Sequence, residues 1–327
     1  MNRKLIGTLL GLAAVVVLMA MAFVLPLKAS GADGLPVGIA GSAEATTQVE
    51  QSLATAAPGD YDFRSYGSAD ELRAAIEDRE IVGAIAVAPE NPTVMVTSAG
   101  GQQIAQNLRG VGTVMSAQTG TEFVVEDVVP TTSDDPTAAG ISGLALPLVL
   151  GGMLPAVVLG QLLPRKPLSQ ALYAGGFAMI AGFALGAILR FGIGTYDGNF
   201  VLVSLGLALG MWAISLPLIG LKANFGFAGF GAGAATMMMV GQPLSGIASS
   251  AYWLPSGWAG FGQLLPPGAS ATLLRSLAFF DGNGGGVALV TMLCWVVVGA
   301  GLVLVARKRT PADEDSDTTP QQEPVLV

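Results

Sequence analysis

The chain has 327 residues, of which 52% are hydrophobic and only 12% are charged, and its formal net charge is −8. A soluble globular domain has about 25% charged residues, so this composition indicates a membrane protein. The chain has no histidine and one cysteine, Cys294. These counts exclude an intramolecular disulfide, a zinc site built from Cys and His, and catalysis that depends on His.

Six runs are long and apolar enough to cross a bilayer, which takes about 20 residues in a helix. They are Leu5–Leu27, Gly140–Leu163, Leu172–Leu189, Phe200–Leu221, Phe225–Gly241 and Val287–Ala306. The first could instead be a signal peptide, but it exceeds the roughly 7–15 residues of a signal core. We therefore predict a mostly α-helical membrane protein with six transmembrane helices, the first within residues 1–28.

The positions of Lys and Arg predict the orientation, because these residues are enriched in cytoplasmic loops. With the N-terminus inside, the cytoplasmic side holds Arg3, Lys4, Arg165, Lys166, Lys222, Arg307, Lys308 and Arg309, and the short outer loops hold Arg190 and Arg275. This pattern predicts a multi-pass protein of the plasma membrane with both termini in the cytoplasm. The acidic tail, residues 310–327, is predicted to be disordered.

Residues 29–139 are predicted to form a small extracytoplasmic α/β domain between the first two spans. Predicted strands are Leu35–Ala40, Asp62–Tyr66, Val82–Val87, Thr93–Thr97 and Glu122–Val128. Predicted helices are Ala43–Ala54, one that starts at Ser68 with Glu71 in a capping box, and Gln102–Ala117. The region carries 16 acidic and 4 basic residues, so a nucleic-acid partner is not expected.

Two acidic residues stand in the linker that follows, from Pro130 to Pro136. Asp134 and Asp135 could bind a cation or a substrate amine, or they could form a solvated turn. The α/β region shows no Ser/His/Asp set, metal cluster or phosphate-binding loop. The sequence therefore predicts no enzyme and no cofactor.

Residues 140–309 are predicted to form a five-helix membrane domain. Ala174, Ala178, Gly182 and Gly186 recur at intervals of four, which predicts close packing of that helix against its neighbours. No ionisable residue lies in the middle of a span. Since gradient-coupled transporters usually place such a residue there, coupling to a proton gradient is not expected.

The stretch from about 242 to 285 is rich in aromatic residues and prolines. Tyr and Trp favour the membrane interface, so we predict an outer re-entrant region with short helices at Leu244–Ala251 and Ala269–Phe280. Candidate residues of an outer gate are Pro243, Trp253, Pro255, Trp258, Pro266, Pro267 and Arg275.

Several runs in this stretch and in the α/β region carry a resemblance to a known family. They are Gly241–Gly246, Trp253–Trp258, Gln263–Gly268, Leu274–Ser276, Phe279–Asp281, Ser68–Arg73, Arg79–Ala84, Asp127–Pro130 and Asp134–Pro136. In this order they resemble the type-2 ABC exporter permeases, near the phage-infection-protein-like group of actinobacterial membrane proteins. The resemblance implies one span, an outer domain and five further spans, assembled as a homodimer or paired permease with cytoplasmic ATPase subunits.

The chain itself has no Gly-x-x-x-x-Gly-Lys-Ser/Thr loop, so an ATPase would be a separate subunit. The resemblance implies that this subunit contacts the loop between the second and third spans, here Arg165, Lys166 and Pro167. Arg165 and Lys166 could instead serve only as topology signals.

The sequence predicts two alternative functions. The first is a permease subunit of an ABC-type exporter that moves a hydrophobic or amphipathic compound outward with a separate ATPase, and its partners would include membrane lipids. The second is a non-transporting surface protein that binds a partner through its extracytoplasmic domain.

Overall fold

The computed structural model of the chain describes residues 3–88 and 90–309. Within them, five helical segments are long and apolar enough to cross a membrane, and a five-stranded sheet lies between the first two in sequence. The predicted class, a mostly α-helical membrane protein with a small α/β unit, is confirmed. The tail at 310–327, predicted to be disordered, lies outside the described residues.

Six α-helices make up the candidate spans. They are α1 (Arg3–Ala29), α5 (Ala139–Gly143), α6 (Ala145–Leu162), α7 (Pro167–Ala187), α8 (Phe200–Ala235) and α11 (Gly286–Arg309). Two π-helical turns, Ile188–Ile193 and Thr236–Gly241, extend α7 and α8 respectively. The helices α5 and α6 are separated only at Leu144, three residues before Pro147. The spans they form are Leu5–Pro26, Ala139–Leu162, Pro167–Ile193, Phe200–Gly241 and Gly286–Lys308.

The segment Phe200–Gly241 is 42 residues long, about twice the length that one crossing needs. Its backbone leaves the helical conformation at Gly226, where φ is 65° and ψ is −153°. A Cβ atom on Gly233 would lie 2.7 Å from Leu218 and 2.8 Å from Leu221. Residues on the two sides of Gly226 therefore pack side by side, and the chain folds back on itself there.

Small residues bring α7 and α8 into close contact, as the sequence predicted. Ala174, Ala178, Gly182 and Gly186 are all buried. A Cβ atom on Gly182 would lie 2.7 Å from the backbone oxygen of Ser204, so no larger side chain fits without moving α8.

The α/β domain (residues 29–139) has five strands and three helices. The strands are β1 (Leu35–Gly41), β2 (Tyr61–Ser65), β3 (Gly83–Val87), β4 (Thr93–Val96) and β5 (Val124–Asp127). The helices are α2 (Ala43–Ala56), α3 (Ala69–Glu77) and α4 (Gln102–Thr119). The sheet order is β2-β1-β3-β4-β5, with β3 and β4 antiparallel and the other pairs parallel. Each predicted strand and helix of this domain is confirmed to within a few residues.

The sheet is covered on both faces because its buried side chains alternate along each strand. Val37 and Ile39 pack with α2 and α4, whereas Ala40 packs with α3 on the opposite face. On α4, Ile104 and Leu108 are buried, which confirms the predicted amphipathic helix.

The 242–285 segment contains a 3₁₀ turn (Ala251–Trp253), α9 (Trp258–Gln263) and α10 (Pro266–Phe279). The helix predicted near Ala269–Phe280 is confirmed as α10. The helix predicted at Leu244–Ala251 is wrong, because Gly246 adopts a φ of 65°. The Ser245 hydroxyl also accepts a hydrogen bond from the backbone N–H of Ile247, which competes with helix formation.

Candidate functional site

The α/β domain lies against the 242–285 segment through specific hydrogen bonds. The N–H of Gly31 donates to the carbonyl of Trp253 at 3.1 Å, and the N–H of Ser256 donates to Asp33 Oδ2 at 2.9 Å. On the other side, Asn283 Nδ2 donates to Asp78 Oδ1 at 3.0 Å. The beginning of the domain and the end of α3 are thus both attached to the segment that precedes α11.

A cavity of about 400 Å³ opens between these attachments, and we call it the junction cavity. Its polar lining includes Asp33, Arg79, Tyr252, Gln263 and Thr272, and its apolar lining includes Leu254, Ala259, Val287 and Ala288. Since Val287 and Ala288 begin α11, the apolar side adjoins a candidate membrane span. A pocket of this size, mostly apolar with a few polar groups, is typical of small-molecule sites.

Arg79 is the cationic residue that lines the junction cavity. It follows α3 in a left-handed conformation, with φ at 60°, and its side chain reaches α10. Its Nη1 donates to the carbonyl of Thr272 at 3.3 Å and to the hydroxyl of Ser276. The guanidinium carbon lies 4.9 Å from the ring centroid of Phe280, within the range of a cation–π contact.

The charge of Arg79 is not paired with a carboxylate among the described residues. Its hydrogen-bond partners are neutral, and it forms none of the salt bridges found in the described chain. Burial lowers the pKa of Arg79, because desolvation disfavours the charged form. A cation held in this way favours an anion that could enter from the cavity.

Arg275 is a second cation close by, on α10, and only 5% of its surface is exposed. Its Nη2 donates to the carbonyl of Ile247 at 3.2 Å, and its Nε has no partner in the described part of the chain. Burial, and then the charge of Arg79, lower the pKa of Arg275 to about 10. Its contacts hold the irregular backbone around Gly246 against α10, and it is not among the residues that line the junction cavity.

The other residues predicted for an outer gate are distributed over the 242–285 segment and do not form one constriction. Trp253 packs against the core of the α/β domain. Pro266 and Pro267 are buried in the first turn of α10, and a Cβ atom on Gly241 would lie 2.9 Å from Pro267 Cγ. Pro243 and Pro255 are half-buried, and Trp258 is exposed.

The residues predicted to contact an ATPase lie in the tight turn between α6 and α7. Arg165 and Lys166 are exposed, and Arg165 has a φ of 60°. Pro167 is buried in the first turn of α7. The turn therefore presents two adjacent cations on the surface. Both contact with an ATPase subunit and a role as a topology signal would require this.

Asp135 has a structural place that the sequence did not predict. It is buried, and its two oxygens accept hydrogen bonds from the N–H groups of Ala139 and Gly140 at 2.7 and 2.8 Å. It thereby caps the start of α5, which is neither of the two roles considered for the pair. Asp134 is exposed, as a solvated turn predicts.

In the described part of the chain, no group of three or more Asp, Glu, Cys or His residues could hold a metal ion. Arg79 is the residue that sequence reasoning missed as a site, although it lies in one of the runs that carry the family resemblance. The only available signal was a basic residue within a strongly acidic region. Comparison with family models, curated proteins and solved structures finds no match to this chain.

Proposed function

We propose that the chain is the membrane subunit of an ABC-type exporter and moves a hydrophobic or amphipathic compound outward. The observation that carries this proposal is the junction cavity, which is polar beside Arg79 and apolar beside α11. A compound with a polar end and a greasy end could occupy such a site as it leaves the bilayer. The resemblance to exporter permeases supports the same function.

The topology that we propose has six crossings, with α8 divided at Gly226. Lys222 Nζ donates to the carbonyl of Ala156 at 3.2 Å, and Asn224 Nδ2 donates to that of Leu302 at 2.8 Å. The turn at Gly226 therefore lies near the end of α6 and the end of α11, where Arg165, Lys166, Arg307 and Lys308 are found.

The α/β domain is attached at the opposite end of the helices, where Thr132 Oγ1 donates to the carbonyl of Gly194. Basic residues favour the cytoplasmic side. We therefore place the basic end in the cytoplasm and the α/β domain outside the plasma membrane, with both chain termini on the cytoplasmic side.

The energy source in this proposal is a separate cytoplasmic ATP-binding subunit. Affinity purification of the full chain from its native membrane should recover such a subunit. Replacement of Arg165 and Lys166 by Gln should reduce the stimulation of its ATPase several-fold, because rim charges guide and stabilise association. The matched control is Arg307→Gln with Lys308→Gln, two exposed cations in the same basic end, which should leave stimulation unchanged.

A second candidate function is favoured by the charge of the α/β domain, with 16 acidic residues between positions 29 and 139. Such a surface suits a non-transporting protein that binds a basic partner. Unchanged export after deletion of the chain, together with no co-purifying ATP-binding subunit, would reject the permease and favour this alternative.

A further inference from the structure

We propose that the junction cavity is a binding site for the phosphate group of an anionic amphiphile, with Arg79 as the residue that binds the charge. This inference deepens the proposed function by naming a substrate class, and it depends on that function only for the statement that the bound compound is also exported. The binding itself follows from contacts at the junction.

Two cations, Arg79 and Arg275, lie close together beside the junction cavity. Arg79 hydrogen-bonds to α10, and Arg275, which lies on α10, hydrogen-bonds to the backbone at Gly246 and Ile247. Every hydrogen-bond partner that the two arginines have in the described chain is neutral. Two like charges placed close together in a desolvated region destabilise each other. An anion at Arg79 would reduce this repulsion, so the unliganded junction favours anion entry.

Two carboxylates nearby, Asp78 and Asp33, do not supply the missing negative charge. Asp78 precedes Arg79 in sequence but accepts a hydrogen bond from Asn283. Asp33 lies at the exposed rim of the cavity and accepts from the N–H of Ser256, a bond that lowers its pKa. Neither forms a salt bridge with Arg79.

The rest of the cavity has a polar wall and an apolar wall. Thr272 Oγ1 donates to Gln263 Oε1 at 2.7 Å, so these side chains form a polar wall beside Arg79. Opposite them, Leu254, Ala259 and Val287 offer apolar contacts, and Val287 is 80% exposed at the start of α11. A free phosphate would use only the polar wall, whereas an amphiphile would also place its chain along α11.

The phosphate group is preferred over a single carboxylate because a guanidinium presents several N–H donors in a fixed plane. Nη1 of Arg79 is engaged by Thr272 and Ser276. Its other donors suit an oxyanion that offers several acceptor oxygens.

The test is a binding titration of the purified full chain in a non-ionic detergent, followed by intrinsic tryptophan fluorescence or thermophoresis. The probes are dioctanoyl phosphatidic acid, inorganic phosphate and dioctanoylglycerol, which present the whole amphiphile, the free anion and the neutral tail. We expect saturable binding of dioctanoyl phosphatidic acid, with inorganic phosphate at least about tenfold weaker and no saturable binding of dioctanoylglycerol. Equal affinity for inorganic phosphate, or for dioctanoylglycerol, would overturn the assignment of an amphiphile with a bound charge.

The variant Arg79→Gln should weaken the binding of dioctanoyl phosphatidic acid by about tenfold or more, because a charged hydrogen bond is lost. Arg79→Lys should recover part of this loss. The control Arg109→Gln removes an arginine that is paired with Asp127 at 3.0 Å and does not line the junction cavity, and it should leave the affinity unchanged. An unchanged affinity in folded Arg79→Gln would refute the proposal.

If Arg79→Gln does not fold, a second variant keeps the proposal testable. Ala259→Phe would fill the apolar side of the cavity and leave both arginines in the sequence, and it should also abolish saturable binding. Binding that persists in Ala259→Phe would refute the cavity as the site. Binding that is retained while export of the same compound is absent would count against the exporter function and leave the binding site supported.

Discussion

Asp135 is a buried carboxylate whose whole role in the described chain is to satisfy backbone donors at the start of α5. A carboxylate that accepts two N–H bonds in a buried position stabilises the helix start by more than an exposed cap does. The preceding residue, Asp134, has the same chemistry but lies exposed to solvent. The pair therefore offers a matched comparison between a buried and an exposed aspartate.

We predict that Asp135→Asn lowers the free energy of unfolding by about 1–3 kcal/mol, because the amide retains only one of the two acceptor oxygens. Asp134→Asn should change it by less than about 0.5 kcal/mol. Thermal or denaturant unfolding of the purified variants in detergent would measure both. An equal effect of the two substitutions would contradict the capping role.

Residues that act on their near neighbours were predictable from the sequence, and residues that act across the fold were not. The N-cap at Ser68 was predicted and is confirmed, since its hydroxyl accepts from the N–H of Glu71 at 3.2 Å. The reciprocal bond differs slightly, because Glu71 accepts from Gly67 rather than from Ser68. Arg79 meets Ser276, 197 positions away, and no local pattern encodes that contact.

Among the elements, the turn at Gly226 makes α8 a pair of helical segments that pack side by side rather than one continuous straight helix. Its φ of 65° and ψ of −153° lie in a region that is nearly restricted to glycine. The sequence predicted two spans here, Phe200–Leu221 and Phe225–Gly241, and so placed the break at residues 222–224, close to Gly226. It did not identify Gly226 as the residue of the reversal, because nearby glycines such as Gly229 and Gly231 offered the same backbone freedom.

We predict that Gly226→Ala destabilises the chain by about 1–3 kcal/mol, since alanine must adopt a strained backbone there. Gly231→Ala is the control, because a Cβ atom at this exposed helical position would meet nothing within 4 Å. The melting temperatures of the two variants in detergent would distinguish them. A smaller loss for Gly226→Ala than for Gly231→Ala would show that the backbone at 226 is not constrained.

The segment from Leu244 to Ala251 shows why apolar content alone did not predict secondary structure correctly. Its composition suits a membrane-embedded helix, but the positive φ at Gly246 and the hydroxyl of Ser245 produce a tight, non-helical path. Helix propensity is a weak signal that local hydrogen bonds override. Where the pattern extended over a longer amphipathic run, as in α4, the prediction was confirmed.

At the scale of the whole molecule, the proposed topology makes a labelling prediction. After Cys294→Ala, single cysteines at Thr47, Pro164 and Lys308 should report the side of each position. A membrane-impermeant maleimide added to intact cells should label only the cysteine at Thr47, because α2 belongs to the outer α/β domain and the other two positions lie in the basic end. Permeabilised cells provide the control in which all three positions react.

The cysteine at Lys308 distinguishes five crossings from six. If Phe200–Gly241 crossed the membrane once, the end of α11 would lie on the same side as Thr47 and would also be labelled in intact cells. Labelling at Pro164 but not at Thr47 would instead reverse the orientation and reject the exporter proposal with it.

The short connection between α1 and its first attachment has a mechanical consequence. The helix ends at Ala29, and Gly31 already donates to Trp253, so about 7 Å of chain at most separates the two points. A tilt of α1 must therefore pull on the 3₁₀ turn at Ala251–Trp253, which includes Tyr252 in the wall of the cavity. Movement of the first helix would therefore be transmitted to Tyr252 and would change the shape of the cavity opening.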